Sequence, residues 1–556
     1  MAFFDLPTDP TRKAPAKKKA APKKAPPEKA APKRKVARKL PVSKGKAPSC
    51  KVPEGPPEPV EATGRLKVKP KSKRKRSASC KRPAPKVGKK PSDMLWPECE
   101  SSLDQRKLWT QGRIPSFYPE GGYEPGRQPK HGHDWKAKSL TPTGLKYGVP
   151  ASYKDPDLRW FIDPRVAGDK AGKIVVFFSG GKDSLACLLY VIETVIGLGL
   201  NPSETIECIH HCVDGRPWFY GGSGINEFDW PCTEDYCRAI CACLGIPLLF
   251  NFREGGLMGE VLKGGEGDPL VGQWEKSTGV GPRPTARMFL EMPPGDGNFH
   301  VSGGIGEDRS RRSFPPLGPV QKGGRTYRWC SAVVKIDLGR SHISNRKDLY
   351  GKRILAVSGE RADESKAREH YLTREFETGH ASRGRHVERW RPIHKWCEID
   401  VWALIFRWRI RPHPAYQLGW GRLSCMTCIF GSPSMWASIA EIDPGRFDRF
   451  AQVEEMLAEE KQVEIKRVER AYKRGSLSKD QYEKDLKSAR GRIVHIKGQN
   501  KPLGTVVAKA EPYKTIFTKA GQRLVRIALS HRYTEDPIMN PWRLPPGAFG
   551  EASGPI

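Results

Sequence analysis

Short apolar runs alternate with segments of helical periodicity along the middle of the chain. Residues 174–178 form an unbroken apolar run, which is typical of a parallel strand that is buried on both faces. The same patterns predict further strands at 205–213, 246–252 and 353–357, and helices at 185–196, 234–244 and 400–408. Strands and helices that alternate in this way predict an α/β fold with a doubly wound parallel sheet. In such a sheet the ligand lies at the carboxyl ends of the strands.

Two other regions have less regular patterns. Residues 253–325 are rich in glycine and proline, so we expect long loops with little secondary structure there. Residues 447–491 are highly charged and helical, with a break at Gly475 and a helix cap at Ser478. They predict a helical hairpin, which is either a solvated face or a contact for a partner. We divide the chain into a basic tail, an irregular wrap, the α/β domain, this hairpin and a C-terminal extension, at 1–90, 91–165, 166–446, 447–500 and 501–556.

Positive charge is concentrated at the start of the chain. The net charge is +35, and residues 1–90 contain 29 Lys and Arg against 6 Asp and Glu. This lysine-, alanine- and proline-rich tail has two aromatic residues, so it cannot bury enough apolar surface to fold and is predicted to be disordered. It resembles the tails of linker histones and other nucleoid-binding proteins, which implies that DNA or RNA binds there through counterion release. The alternative is an extension that only keeps the protein soluble.

The sequence has neither a membrane-spanning nor a secretory pattern. No apolar run reaches the length of a membrane span, and the first residues do not resemble a signal peptide. We therefore expect a cytoplasmic protein, associated with the nucleoid where its tail binds DNA. In that compartment the 14 cysteines are expected to be thiols or metal ligands rather than a disulfide framework.

A glycine turn separates the first predicted strand from the first predicted helix. It consists of Ser179, Gly180, Gly181, Lys182, Asp183 and Ser184. A helix N-terminus is equivalent to about half a positive charge, glycines let an anion approach the backbone, and Lys182 adds a full charge. The turn is too short for the Walker pattern. It is therefore predicted to bind phosphate groups, and the alternative is a turn that only connects strand and helix.

The turn resembles the SGGxDS signature of the PP-loop superfamily, the ATP pyrophosphatases and their sulfonucleotide-reductase relatives. Three further segments, in the family's order, are similar to the phosphoadenosine phosphosulfate (PAPS) reductase branch of that superfamily. They are RWCSAVVKID at 328–337, SGERADESKAREH at 358–370, and RPIHKWCEIDVWALI at 391–405 followed by HPAYQLGWGRLSCMTCIF at 413–430. The resemblance implies an adenine nucleotide alpha-hydrolase-like fold. It also implies that the turn grips the pyrophosphate of ATP while the α-phosphate is attacked.

Several charged residues are candidates for the same site. Related proteins place an acidic residue near the nucleotide or its Mg²⁺ after the second strand, which implies that role for Asp214; the alternative is a turn cap. Arginine and lysine side chains can bind phosphate or sulfate oxygens, and carboxylates and hydroxyls can hold them in place. Candidates for these roles are Lys335, Arg361, Glu364, Ser365 and Arg368. The alternative is a cluster of salt bridges on the surface.

Three cysteines are candidates for a metal centre. Cys425 and Cys428 form a CxxC motif, and Cys330 lies in the family segment that can supply a third thiolate. The resemblance implies a [4Fe–4S] cluster with an open iron position, as in PP-loop tRNA thiolation enzymes. A Zn²⁺ ion with Cys397 as the fourth ligand is the alternative.

Departures from the family narrow the predicted reaction. Assimilatory sulfonucleotide reductases attack sulfur with a cysteine in a C-terminal ECG-[IL]-H segment, whereas no cysteine follows Cys428 here. The complete SGGKDS turn favours an enzyme that adenylates an acceptor with ATP and Mg²⁺ and releases pyrophosphate. With the basic tail, this predicts sulfur transfer to DNA or RNA, and a sulfur donor protein as a further partner.

Two alternative functions remain at this stage. One is a sulfonucleotide reductase, with PAPS in place of ATP, or a sulfate adenylyltransferase-like enzyme of sulfur assimilation. The other is a nucleic-acid-binding protein that uses ATP only as a ligand.

Overall fold

The computed structural model describes residues 156–216, 226–263, 272, 275–276, 287–303, 313–315, 329–364, 366–377, 382–396, 398–497 and 501–550. The predictions for the basic tail, for most of 91–165, for Ser365 and for Cys397 concern residues outside this part of the chain. No helix within the described ranges is long and apolar enough to cross a membrane.

An eight-stranded sheet forms the centre of the described structure. Its strands are β1 (Lys173–Phe177), β2 (Ile206–Cys212), β3 (Leu248–Arg253), β4 (Met288–Glu291), β5 (Phe299–Ser302), β6 (Arg353–Val357), β7 (Arg374–Phe376) and β8 (His386–Trp390). Their order in the sheet is β5-β4-β3-β2-β1-β6-β8-β7. Strands β3, β2, β1, β6 and β8 are parallel, and β4, β5 and β7 add antiparallel edges. The predicted α/β class with a mostly parallel, doubly wound sheet is confirmed.

The strand order reverses beside β1. The chain passes from β1 to β2 and β3 on one side, and later places β6 on the other side. Val175 of β1 consequently lies between Glu207 of β2 and Ala356 of β6. Doubly wound folds bind their ligands at such a reversal, outside the carboxyl ends of the strands. The glycine turn follows β1 and the segment from Ser358 follows β6, so two of the predicted anion-binding segments begin at this point.

Helices connect the strands and extend the chain beyond the sheet. The described helices are α1 (Leu158–Ile162), α2 (Pro164–Ala167), α3 (Lys182–Gly197), α4 (Pro202–Thr205), α5 (Thr233–Leu244), α6 (Gly256–Val261), α7 (Trp329–Ser331), α8 (Asp337–Asn345), α9 (Lys366–Glu369), α10 (Glu398–Arg407), α11 (Pro414–Gln417), α12 (Pro433–Ile442), α13 (Pro444–Lys473), α14 (Lys479–Arg490), α15 (Leu503–Val507) and α16 (Lys519–Ala528). Short 3₁₀ turns occur at Gly168–Lys170, Lys347–Leu349, Ala362–Glu364, Ser382–Gly384 and Lys514–Phe517. A π-helical turn, Ala332–Ile336, joins α7 to α8.

Both faces of β1 are buried, which explains its unbroken apolar sequence. Ile174 and Val176 belong to a large core that includes the apolar side of α3. Val175 and Phe177 belong to a second core on the other face, which includes Ile343 of α8. A parallel strand covered on both faces has no solvent-exposed positions, so its sequence does not alternate.

The expectation of loops throughout 253–325 was wrong for part of that region. Helix α6 and the antiparallel hairpin β4–β5 lie there. The glycines and prolines of residues 293–297 form the hairpin turn, across which the Met292 N–H donates to the Asn298 carbonyl at 2.8 Å. Phe289 of β4 stacks on Phe252 of β3 with ring centroids 4.9 Å apart. Strands β4 and β5 are short, so the glycines and prolines of the turn between them outweighed the strand pattern in the sequence.

Helices α13 and α14 form the pair that the charged region predicts. Gly475 has a φ of +73° between them, and the Ser478 Oγ accepts a hydrogen bond of 3.2 Å from the Gln481 N–H. Helix α13 begins earlier than predicted because the Asp443 carboxylate accepts a hydrogen bond of 3.1 Å from the Arg446 N–H. Tyr472 and Tyr482 stack across the pair at 4.2 Å.

Candidate active site

A cavity lies at the carboxyl ends of β1, β2 and β6. Its walls are formed by the glycine turn, the ends of these strands, the segment after β6, residues 421–425, and Gly550. The predicted site residues that line it are Ser179, Gly181, Lys182, Asp183, Ser184, Lys335, Arg361, Glu364 and Cys425. Motifs that are far apart in the sequence therefore meet around one cavity.

The glycine turn is held by its two serines. The Ser184 Oγ donates to the Gly181 carbonyl at 3.0 Å and lies 3.2 Å from the Ser179 Oγ. Gly180 has a φ of +77°, and a Cβ at this position would lie 3.1 Å from the Cys237 Sγ. Both the backbone angle and the close neighbour favour glycine there. Helix α3 begins within the turn, at Lys182, so its positive N-terminal end is at the cavity wall.

The segment after β6 packs directly against the start of α3. A Cβ on Gly359 would lie 3.0 Å from the Asp183 carbonyl carbon and 3.2 Å from the Ser184 nitrogen. A side chain here would force these backbone atoms to shift by a few tenths of an ångström, so glycine suits the close approach. As a result the Arg361 Nε lies 2.6 Å from the Asp183 Oδ1.

The charged side chains of the turn are paired with oppositely charged neighbours. The Lys182 Nζ lies 3.4 Å from the Asp183 Oδ2 and 3.8 Å from the Glu398 Oε1. Burial alone would lower the pKa of Lys182, but the Asp183 and Glu398 charges hold that pKa above its usual value. Burial alone would raise the pKa of Asp183, but Lys182 and Arg361 hold it below its usual value. At neutral pH the Lys182 and Asp183 side chains are therefore charged and paired.

Glu364 links the two candidate arginines. Its Oε2 accepts a hydrogen bond of 3.0 Å from the Arg361 N–H and forms an ion pair with Arg368. Arg361 and Glu364 line the cavity, whereas Arg368 lies behind Glu364 in this chain of contacts. The arrangement suits an Arg361 that faces an anion and an Arg368 that supports it.

Two acidic residues lie near one another after β2. The Asp214 carboxylate accepts hydrogen bonds of 2.8 Å from both the Phe228 and the Asp229 N–H groups, which lie 14 and 15 residues further along the chain. Of these two carboxylates, Asp229 is the one that lines the cavity. Burial and the neighbouring Asp214 charge raise the pKa of Asp229 to about 7. Sequence reasoning missed Asp229 because no motif marks it.

Cys425 is the candidate cysteine that lines the cavity, and Lys335 lines it too. Burial raises the pKa of the Cys425 thiol well above its usual value; the Lys335 charge opposes this, and the charges of Cys428 and Cys330 add to it. Within the described ranges, no three or more His, Cys, Asp or Glu side chains are arranged to hold a metal ion. The [4Fe–4S] cluster and the zinc site therefore stay predictions.

Tyr416 and Glu398 are site residues that were not singled out from the sequence. The Tyr416 hydroxyl accepts hydrogen bonds of 3.0 Å from both the Lys182 and the Leu423 N–H groups. Glu398 receives the Trp402 Nε1–H at 3.1 Å and faces Lys182. Both residues lie within the motif segments quoted above, and this position is the sequence feature that could have identified them as site residues. Gly550 gave no signal at all.

The described residues form an α/β sheet whose strand order reverses at the cavity, and the predicted phosphate-binding turn forms one wall of that cavity. Residues 311–430 match the family model of the phosphoadenosine phosphosulfate reductase domain, which confirms the resemblance to that branch. No curated protein and no solved structure matches the chain. The matched range contains Lys335, Arg361 and Cys425 but begins after the glycine turn, and the fold brings the two parts together.

Proposed function

We propose that the chain is an ATP-dependent enzyme that adenylates an acceptor and releases pyrophosphate. The observation that supports this most is the intact turn at the start of α3, with Lys182 beside the cavity. Backbone N–H groups, a helix N-terminus and a buried lysine are the groups that hold the β- and γ-phosphates of a nucleotide. This is also the part of the site that an enzyme without a pyrophosphate leaving group would not need.

The proposed reaction is a displacement at the α-phosphorus of ATP. An oxygen of the acceptor attacks the α-phosphorus, the bond to the bridging oxygen breaks, and pyrophosphate leaves with the electron pair. Lys182 and the turn bind the leaving group, and Arg361 neutralises charge near the α-phosphate. Mg²⁺ that accompanies ATP would supply further charge neutralisation.

Sulfur transfer to DNA or RNA is the finer proposal. Cys425 lines the same cavity as Lys182, so a sulfur atom carried on it is within the site where the adenylated acceptor forms. A donor protein leaves a persulfide on Cys425, whose outer sulfur attacks the activated atom while AMP leaves with the electron pair of the broken bond. A thiol of the donor protein then attacks the Cys425 Sγ, which releases the thiolated product and leaves a mixed disulfide between Cys425 and the donor. Residues 1–90 would hold the nucleic acid through its phosphates. No step of the proposed reaction is assigned to a metal cluster.

A sulfonucleotide reductase is the second candidate, because the matched family model is named for that activity. Such an enzyme would bind PAPS in the same cavity. The intact glycine turn at the start of α3 favours the adenylation of an acceptor over that second reaction.

An assay with labelled ATP distinguishes the adenylating enzyme from the sulfonucleotide reductase. The full chain is incubated with Mg²⁺ and ATP labelled at the α-phosphate, with and without DNA or RNA, and AMP and pyrophosphate are measured. Lys182→Ala is expected to lower the formation of AMP and pyrophosphate by roughly 100-fold, because the positive charge that stabilises the leaving pyrophosphate is removed. Lys170→Ala removes an exposed lysine outside the cavity and is the matched control. Equal turnover in wild type and Lys182→Ala would remove the turn from the mechanism.

A further inference from the structure

The C-terminal extension ends against the site, although the family match stops at residue 430. The Met539 N–H donates to the Arg409 carbonyl at 2.9 Å, and Ile538 forms a β-bridge with Ile410. The Trp542 side chain is 3 % exposed and donates its Nε1–H to the Ile410 carbonyl at 2.7 Å. This anchors the residues that follow, 543–550, which we name the C-terminal strap.

The first link from the strap to the glycine turn passes through Tyr416. The Gly547 N–H donates to the Tyr416 carbonyl at 2.8 Å. The hydroxyl of the same tyrosine accepts the Lys182 N–H at 3.0 Å. One end of Tyr416 is therefore held by the strap, and the other end holds the backbone of Lys182.

The second link passes through Glu398. The Phe549 N–H donates to the Glu398 Oε1 at 3.2 Å. That oxygen lies 3.8 Å from the Lys182 Nζ. Two independent contacts of the strap therefore converge on Lys182, one on its backbone and one on its ammonium group, and Gly550 reaches the cavity wall itself.

We propose that the C-terminal strap positions Lys182 for the phosphates of the nucleotide. This inference rests on the proposed function, since it assumes that the glycine turn binds ATP. A lysine side chain has many rotamers, and holding it in place before binding removes part of the entropic cost of association. The strap therefore contributes to nucleotide binding by positioning Lys182, in addition to covering the fold.

Gly547 offers a way to lift the strap without touching the cavity. A Cβ on Gly547 would lie 2.1 Å from the Trp420 carbonyl oxygen and 2.8 Å from the Tyr416 carbonyl oxygen. Backbone atoms block it on both sides, so Gly547→Ala must displace the strap. At Gly504 a Cβ would meet nothing within 4 Å, which makes Gly504→Ala the matched control.

Calorimetric titration of the full-length protein with ATP and with adenosine tests the proposal. Gly547→Ala is expected to weaken ATP binding roughly ten-fold, since about one charged contact is loosened. Adenosine has no phosphates for Lys182 to meet, so its affinity should change by less than about two-fold. A chain that ends at Pro546 replaces Gly547→Ala if that variant does not fold.

The outcomes separate this inference from the proposed function. If the wild type does not bind ATP, the proposed function is wrong. If the wild type binds ATP and the strap variants bind it equally well, the strap does not position Lys182. If ATP and adenosine lose affinity to the same extent, the strap only stabilises the fold, and the positioning role is overturned.

Discussion

At the scale of single residues, Asp183 determines the charge balance of the cavity. Its two oxygens lie 2.6 Å from the Arg361 Nε and 3.4 Å from the Lys182 Nζ. Buried cations without a partner are costly, so the carboxylate stabilises the ligand-free protein. A phosphate group must compete with Asp183 for the same two cations. The residue therefore keeps the site folded and at the same time limits how tightly an anion binds.

Asp229 is expected to make the stability of the protein depend on pH. Its pKa is raised from 3.8 to about 7, first by burial and then by the Asp214 charge. A carboxyl with a raised pKa favours the folded state while it is protonated, and this contribution is lost as the pH rises from 3.8 to about 7. Between about pH 5 and about pH 8 the wild type should lose about 1–3 kcal/mol of unfolding free energy relative to Asp229→Asn.

Urea denaturation at the two pH values measures this difference. The asparagine retains an oxygen for the Trp230 N–H, which the Asp229 Oδ1 accepts at 2.8 Å, so the turn itself is preserved. Asp169→Asn changes an exposed carboxyl on the surface and serves as the control. A wild type and an Asp229→Asn protein with parallel pH profiles would show that Asp229 has an ordinary pKa.

At the scale of elements, the signals that predicted the site are local. Strand β1, the glycine turn and helix α3 follow one another within 25 residues, from Lys173 to Gly197, and each has its own sequence pattern. The hairpin β4–β5 was missed because its turn residues outweigh two short strands. Gly550 was missed for another reason: it reaches the cavity across more than one hundred residues of chain. No periodicity or motif reports such contacts.

The packing of the β6 turn on helix α3 predicts a sensitive glycine. Gly359→Ala would place a Cβ 3.0 Å from the Asp183 carbonyl carbon, and backbone atoms there cannot move aside as a flexible side chain would. Overpacking of this kind costs about 1–3 kcal/mol of unfolding free energy, and it moves Arg361 away from Asp183. We therefore expect both a lower unfolding midpoint and weaker ATP binding, measured by denaturation and by titration.

Gly197→Ala is the matched control for that change. A Cβ at Gly197, the last residue of α3, meets nothing within 4 Å. Alanine favours a helix over glycine by about 1 kcal/mol, so this variant should be neutral or slightly more stable. If Gly359→Ala behaved like Gly197→Ala, the close approach of β6 and α3 would not be needed for the site.

At the scale of the whole molecule, the cavity draws on more of the chain than the family match covers. Residues 311–430 supply Lys335, Arg361 and Cys425, whereas the glycine turn precedes this range and Gly550 follows it. A fragment limited to the matched range would lack the turn and the strap. The glycine turn and the cysteine that lines the cavity therefore come from different parts of the chain, of which the matched range covers one.

The uneven charge of the whole chain predicts how nucleic acid binds. Residues 1–90 carry 29 basic and 6 acidic residues of a chain whose net charge is +35. Each phosphate that a protein neutralises contributes about −0.9 to the slope of log K against log salt concentration for duplex DNA. A chain that begins at residue 91 should therefore bind DNA more weakly. The slope of log K against log salt concentration should be shallower by about 4 or more. Fluorescence anisotropy over a salt series measures both quantities. The affinity of this shortened chain for ATP should be unchanged, because every residue described at the cavity lies after residue 91. An equal slope in both proteins would place DNA binding in the folded domain and leave the tail as a solubilising extension.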